Sequence, residues 1–183
     1  MNLKEVLKIL IYRFQKDNID FVLAGGLALS TMGIFRFTKD IDFLVSEEAK
    51  GKIDDIMKDL GYEKQDFSNE EIFSFLSPLK ALGQVDYLFA RRKYTRAMMQ
   101  RAKKRPIFDG EFDVKTLLPE DLIGLKIQAI SNDPKNRFVV DSLDIRKILQ
   151  TKISEIDIEL VKEYFRLFKR EDLLNEWLSE IEQ

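Results

Sequence analysis

Apolar side chains at Leu3, Val6, Leu7, Leu10 and Phe14 recur at helical spacing until Asp17-Asn18 breaks the run, so the chain should open with an amphipathic helix. Residues 21–24 are short, continuously apolar and followed by Gly25-Gly26, the pattern of a buried strand entering a tight turn. A brief helix is then expected over 27–32, closed by Gly33. From 40 to 45 the period becomes two. Ile41, Phe43 and Val45 would face a core, while Asp40, Asp42 and Leu44 face a cleft. Ile53, Ile56, Met57 and Leu60 restore a helical stripe that Gly61 caps. Residues 62–67, 72–76 and 84–89 read as strands with antiparallel neighbours among them. After a basic helix, Asp109-Gly110 marks a hairpin over 107–114. From Pro119, which suits a first helical position ahead of Glu120 and Asp121, the pattern is helical, with further helices over 137–150, 155–169 and 171–182.

This order of elements predicts a mixed α/β part over residues 1–115 and a helical part over 116–183. The 183 residues suffice for one ordinary core, with 45% apolar and 34% charged side chains. No apolar run approaches the ~20 residues that span a bilayer. The amino terminus lacks the pattern of a secretion signal, so the expected compartment is the cytoplasm.

The chain has no cysteine and no histidine. Disulfides, thiolate or imidazole metal sites, cysteine nucleophiles and Ser-His-Asp catalysis are thereby excluded. Carboxylates, lysine, hydroxyls and backbone remain, an inventory that suits carboxylate-held magnesium. Charge is uneven. Arg91, Arg92, Lys93, Arg96, Arg101, Lys103, Lys104 and Arg105 share a stretch free of acidic residues, and taking those eight from a net charge of −2 leaves −10 on the rest. Segment 91–105 is either a solvated helix face or a surface for a phosphate-bearing partner such as nucleic acid.

Asp40 and Asp42 project from one face of their strand, close enough to share a hard cation. Asp86 repeats the arrangement, since Val85, Tyr87 and Phe89 alternate with it. If the two strands are neighbours, three carboxylates converge, a cluster able to hold two magnesium ions for an in-line displacement at phosphorus, with Asp86 helping to remove the acceptor's proton. Alone, Asp-Xaa-Asp is also the polar face of an exposed strand. A phosphatase using Asp40 as nucleophile would need a hydrophobic strand directly before it, where this chain has Arg36, Phe37, Thr38 and Lys39.

The stretch AGGLALSTMGIFRFTKDIDFLV, residues 24–45, orders Gly-Gly, Arg36, Thr38 and the two aspartates, with thirteen residues between Gly26 and Asp40. It resembles the DNA polymerase β-like nucleotidyltransferase superfamily, and within it the small bacterial proteins related to abortive-infection nucleotidyltransferase toxins. The resemblance implies an α+β nucleotidyltransferase fold, a mixed sheet flanked by helices, followed by a C-terminal helical bundle. It implies Asp40, Asp42 and Asp86 as catalytic metal ligands and Gly25-Gly26 as the turn that approaches the phosphates of a nucleoside triphosphate. Arg36 would clamp a phosphate, and Thr38 would support the loop or a metal-bound water; either residue could instead only hold the loop. Leu27 departs from the pattern, because many members carry a hydroxyl residue there; backbone amides are left to do the holding.

Residues 119–129, PEDLIGLKIQA, followed by Arg137, Asp141 and Asp144, resemble the helical segment behind the catalytic domain of the toxin-related group. There Lys126 would face the nucleotide with Asp144 orienting it, or the two would form a salt bridge between helices. The last helices cover the chain's own core or offer a surface to an antitoxin or a second copy. The implied activity is magnesium-dependent transfer of a nucleoside monophosphate to a hydroxyl of RNA, protein or a small molecule. The alternative is an inactive binding protein or toxin–antitoxin component of the same fold.

Overall fold

The computed structural model describes residues 2–66 and 71–181, in two compact units, Met1–Leu117 and Leu118–Gln183. The first contains α1 (Leu3–Lys16), β1 (Phe21–Leu23), α2 (Gly25–Ser30), β2 (Asp40–Ser46), a 3-10 turn (Glu47–Ala49) and α3 (Lys50–Asp59). It continues with β3 (Glu63–Lys64), β4 (Ile72–Leu76), β5 (Gln84–Ala90), α4 (Lys93–Arg101), β6 (Lys103–Ile107) and β7 (Phe112–Thr116). The seven strands form one sheet in the order β3-β4-β5-β2-β1-β7-β6. It is mixed, with β2–β5 and β1–β7 parallel and the other pairs antiparallel.

Two-residue periodicity fixes how β2 and β5 sit. Ile41, Phe43, Val85, Tyr87 and Phe89 are buried. Phe43 and Tyr87 stack with ring centroids 5.6 Å apart, and Phe14 of α1 meets Phe43 edge-on at 5.3 Å. Pairing is in register, Phe43 opposite Tyr87 and Asp42 opposite Asp86. A slip of one residue would drive carboxylates beneath α1 and lift the aromatic pair out, so the core holds the register.

The structure corrects several element bounds. The short helix expected over 27–32 spans Gly25–Ser30, because the glycine pair is itself its first turn: Gly25 takes φ +57° after extended Ala24. Leu44, expected to face the cleft, is buried on the face against which α2 packs. The strand expected over 62–67 is two residues long within the described chain, and Phe67 lies outside the described residues. The hairpin begins at Lys103 rather than 107. Its turn places Phe108, Asp109 and Gly110 at positive φ, and its outer strand tolerates Pro106, which reads as a breaker, because an edge strand can spare an N–H.

The second unit is helical: α5 (Pro119–Asn132), α6 (Pro134–Lys152), α7 (Ile158–Leu167) and α8 (Glu171–Ile181). α6 starts three residues before its apolar stripe because the Asp133 side chain caps it, accepting from Asn136 N at 3.3 Å. α7 starts later than expected, where Asp157 accepts from Leu160 N at 3.0 Å. Ile123, Ile127, Ile145, Ile148, Val161 and Phe165 form its interior, and Trp177 meets Phe165 edge-on at 5.9 Å. Among the described residues no helix is long and apolar enough to cross a membrane.

Candidate active site

The parallel pairing of β2 and β5 brings the acidic residues together. Asp42 stands directly opposite Asp86, with Asp40 two residues before Asp42 on the same face. One carboxylate oxygen of each of Asp40, Asp42 and Asp86 lies within 4.8 Å of the others, and all three residues are half-buried. Three hard anionic donors at this spacing repel one another and match the oxygen preference of a divalent cation. Hydrogen-bond donors hold two of them in place. Thr38 Oγ1 donates to Asp40 Oδ1 at 2.7 Å, and Gln84 Nε2 lies 2.9 and 3.0 Å from the two oxygens of Asp86. On the opposite face of the sheet, burial pushes the Tyr87 phenol well above its usual range, with the charges of Tyr62 and Asp86 adding to it, so Tyr87 stays neutral in the core.

The glycine pair owes its composition to this cluster. A Cβ on Gly25 would come 1.8 Å from Asp42 Oδ2, and one on Gly26 would come 2.7 Å from Thr38 Oγ1 and 3.3 Å from Arg36 Cζ. The turn and the segment before β2 are therefore packed into contact, carboxylate and threonine against bare backbone. Arg36 is exposed and its Nη1 donates to Phe37 O at 3.2 Å. Leu27 is buried and belongs to the core, so no hydroxyl side chain follows the glycines.

Of the residues singled out in the sequence, Gly25, Gly26, Arg36, Thr38, Asp40, Asp42 and Asp86 are thus gathered into one locality of the first unit. Lys126 and Asp144 meet in the second unit, where Lys126 Nζ lies 2.6 Å from Asp144 Oδ2 and 2.9 Å from Asp141 Oδ1. Arg137 Nε reaches the other oxygen of Asp141 at 2.7 Å. In the basic segment, Arg91 pairs with Glu47 and Arg92 with Glu71, each at 2.8 Å, while Lys93, Arg96, Lys103 and Lys104 are exposed. Segment 91–105 is accordingly α4 and the start of β6, with part of its charge neutralised, and is no continuous solvated helix face.

One residue of the carboxylate site escaped the sequence reading. Gln84 precedes Asp86 by two, as Asp40 precedes Asp42, and that same-face spacing was the available signal. Asp141, quoted from the sequence only as part of the second resemblance and given no role, is the fully buried member of the Lys126 cluster, four after Arg137 and three before Asp144.

Solved structures share this architecture. The antibiotic-resistance factor ANT(2'')-Ia superposes with a TM-score of 0.64 at 15% identity, covering 98% of this chain and 99% of its own. The lincosamide antibiotic adenylyltransferase LnuA, in its lincomycin-bound crystal structure, gives 0.54 at 12% identity over 80% and 96% of the two chains. An antigenic nucleotidyltransferase-like protein from Paracoccidioides brasiliensis gives 0.56 at 17% identity over 97% and 92%. At these identities the likeness is one of fold. No curated protein matches the sequence. The family model described as "Nucleotidyl transferase AbiEii toxin, Type IV TA system" matches residues 9–181. With nearly its whole length matched, the chain belongs to that family and is a nucleotidyltransferase.

Proposed function

We propose that Asp40, Asp42 and Asp86 hold magnesium and that the protein transfers a nucleoside monophosphate from a nucleoside triphosphate to a hydroxyl group of a nucleic-acid strand. The observation that carries this reading is the convergence of the three carboxylates across the in-register β2–β5 pair. Bound there, magnesium would neutralise the triphosphate and favour in-line attack at its α-phosphorus, two ions being the usual number for such displacements. The bond between acceptor oxygen and α-phosphorus forms as the α–β anhydride breaks and pyrophosphate leaves. The hydroxyl proton passes to a carboxylate oxygen of Asp86, which Gln84 orients. The Gly25-Gly26 side of the cluster, with Arg36 beside it, is assigned to the phosphates.

A nucleic-acid acceptor is favoured by the exposed cations of Lys93, Arg96, Lys103 and Lys104, which would contact phosphates without reading sequence. The family description, which names a toxin of a toxin–antitoxin system, supports an antitoxin as a functional partner, and the need for nucleoside triphosphates fits the cytoplasm. Incubation with each labelled triphosphate, RNA and magnesium tests the assignment, with Asp42→Asn as control. Label should pass to RNA only with the divalent ion and wild-type Asp42. Equal transfer by Asp42→Asn would refute the metal assignment.

A further inference from the structure

We infer that Phe35 and Phe37, with Lys39, form a platform on which the terminal bases of a single-stranded acceptor stack, placing its hydroxyl beside the carboxylates. The inference rests on the transfer reaction proposed above and assigns its acceptor contacts.

Phe35 and Phe37 are 75% and 80% exposed, whereas Phe14, Phe43, Phe75, Phe89 and Phe165 are buried in the core. The segment that carries them is nonetheless tied down. Ile34 is buried, Arg36 and Thr38 lie against Gly26, and Thr38 donates to Asp40. Ile34 is buried and Thr38 half-buried, while Phe35, Phe37 and Lys39 are exposed. Lys39 is exposed and its Nζ lies 5.7 Å from the Phe37 ring centroid. Two exposed rings and a cation within five residues offer flat apolar surface for bases and a charge for the phosphate between them, the combination used to hold single strands without sequence preference. Lys39 directly precedes Asp40, so this segment leads into the carboxylate cluster, while the glycine turn is assigned to the triphosphate.

The test uses the full chain without magnesium, so that binding is read apart from turnover. A fluorescently labelled single-stranded RNA oligonucleotide with a free 3′ hydroxyl is titrated by anisotropy against wild type, Phe35→Ala/Phe37→Ala and Phe37→Trp. The double variant should bind RNA roughly tenfold or more weakly, from the loss of two stacking rings. Phe37→Trp should retain RNA affinity, with its indole emission quenched on binding. Calorimetry of the magnesium-triphosphate should give the same affinity in all three proteins. RNA affinity unchanged in the double variant would overturn the inference, as would a parallel loss of triphosphate binding. If wild type binds no triphosphate, the transfer reading fails by itself, while the RNA comparison still decides the role of the two rings.

Discussion

Gly25 and Asp42 share space that admits no side chain on the former: a Cβ there would stand 1.8 Å from Asp42 Oδ2, on a backbone with φ +57°. Gly25→Ala should therefore displace the Asp42 carboxylate and also introduce backbone strain of roughly 1–2 kcal/mol. A fall in melting temperature of a few degrees, about 2–4 °C per kcal/mol at this size, should accompany loss of transfer. Circular-dichroism melts alongside a transfer assay check both. Full activity in Gly25→Ala would show that Asp42 need not stay where it is.

Gln84 is expected to matter through Asp86. Removing its amide in Gln84→Ala leaves that carboxylate without the donor 2.9 and 3.0 Å away. Metal affinity or kcat should fall about 10–100-fold, as for other groups that orient a ligand, with triphosphate KM moving less. Manganese titration and steady-state kinetics separate the two, and unchanged values in both would reduce the amide to a bystander.

Lys126→Met should be strongly destabilising, since it strands Asp141 and Asp144 without the ammonium that both engage in a buried setting. Breaking such a cluster from one side costs about 3–5 kcal/mol. Urea unfolding measures this. Calorimetry under folding conditions then asks whether the lysine also contributes to nucleotide binding, and undiminished stability would argue that its place is with the ligand instead.

Alkaline conditions should weaken the fold through its buried phenols. Burial pushes the Tyr62 pKa up to about 12, while its hydroxyl donates to Leu82 O at 2.8 Å. An unfolded tyrosine releases its proton near pH 10. Between these values the folded state binds more protons than the unfolded, so stability falls as pH rises through the window from about 10 to about 12. Tyr62→Phe should flatten part of that decline in urea midpoints measured across it; an identical slope in both proteins would exonerate Tyr62.

Much of this was legible in the sequence, because period-two alternation around Asp40, Asp42 and Asp86 states which face each side chain takes. Family membership and fold agree with the resemblance carried by residues 24–45 and 119–144. What alternation leaves open is which strands are neighbours, and the adjacency of β2 and β5 arises from long-range packing of Phe14, Phe43 and Tyr87. The start of α2 was misread because glycine is a poor helix former, and the reason for glycine there lies in the Asp42 side chain, distant in sequence. The Lys103–Ile107 strand was hidden because its charges and Pro106 suit only an outer position, which local pattern does not reveal.

That outer position protects the molecule. At one margin of the sheet β6 presents exposed Lys103 and Lys104 and a proline lacking an N–H, and at the other β3 offers, among the described residues, just two exposed ones. Neither rim can template an incoming strand, so crowded solutions of this protein should resist fibrillar stacking.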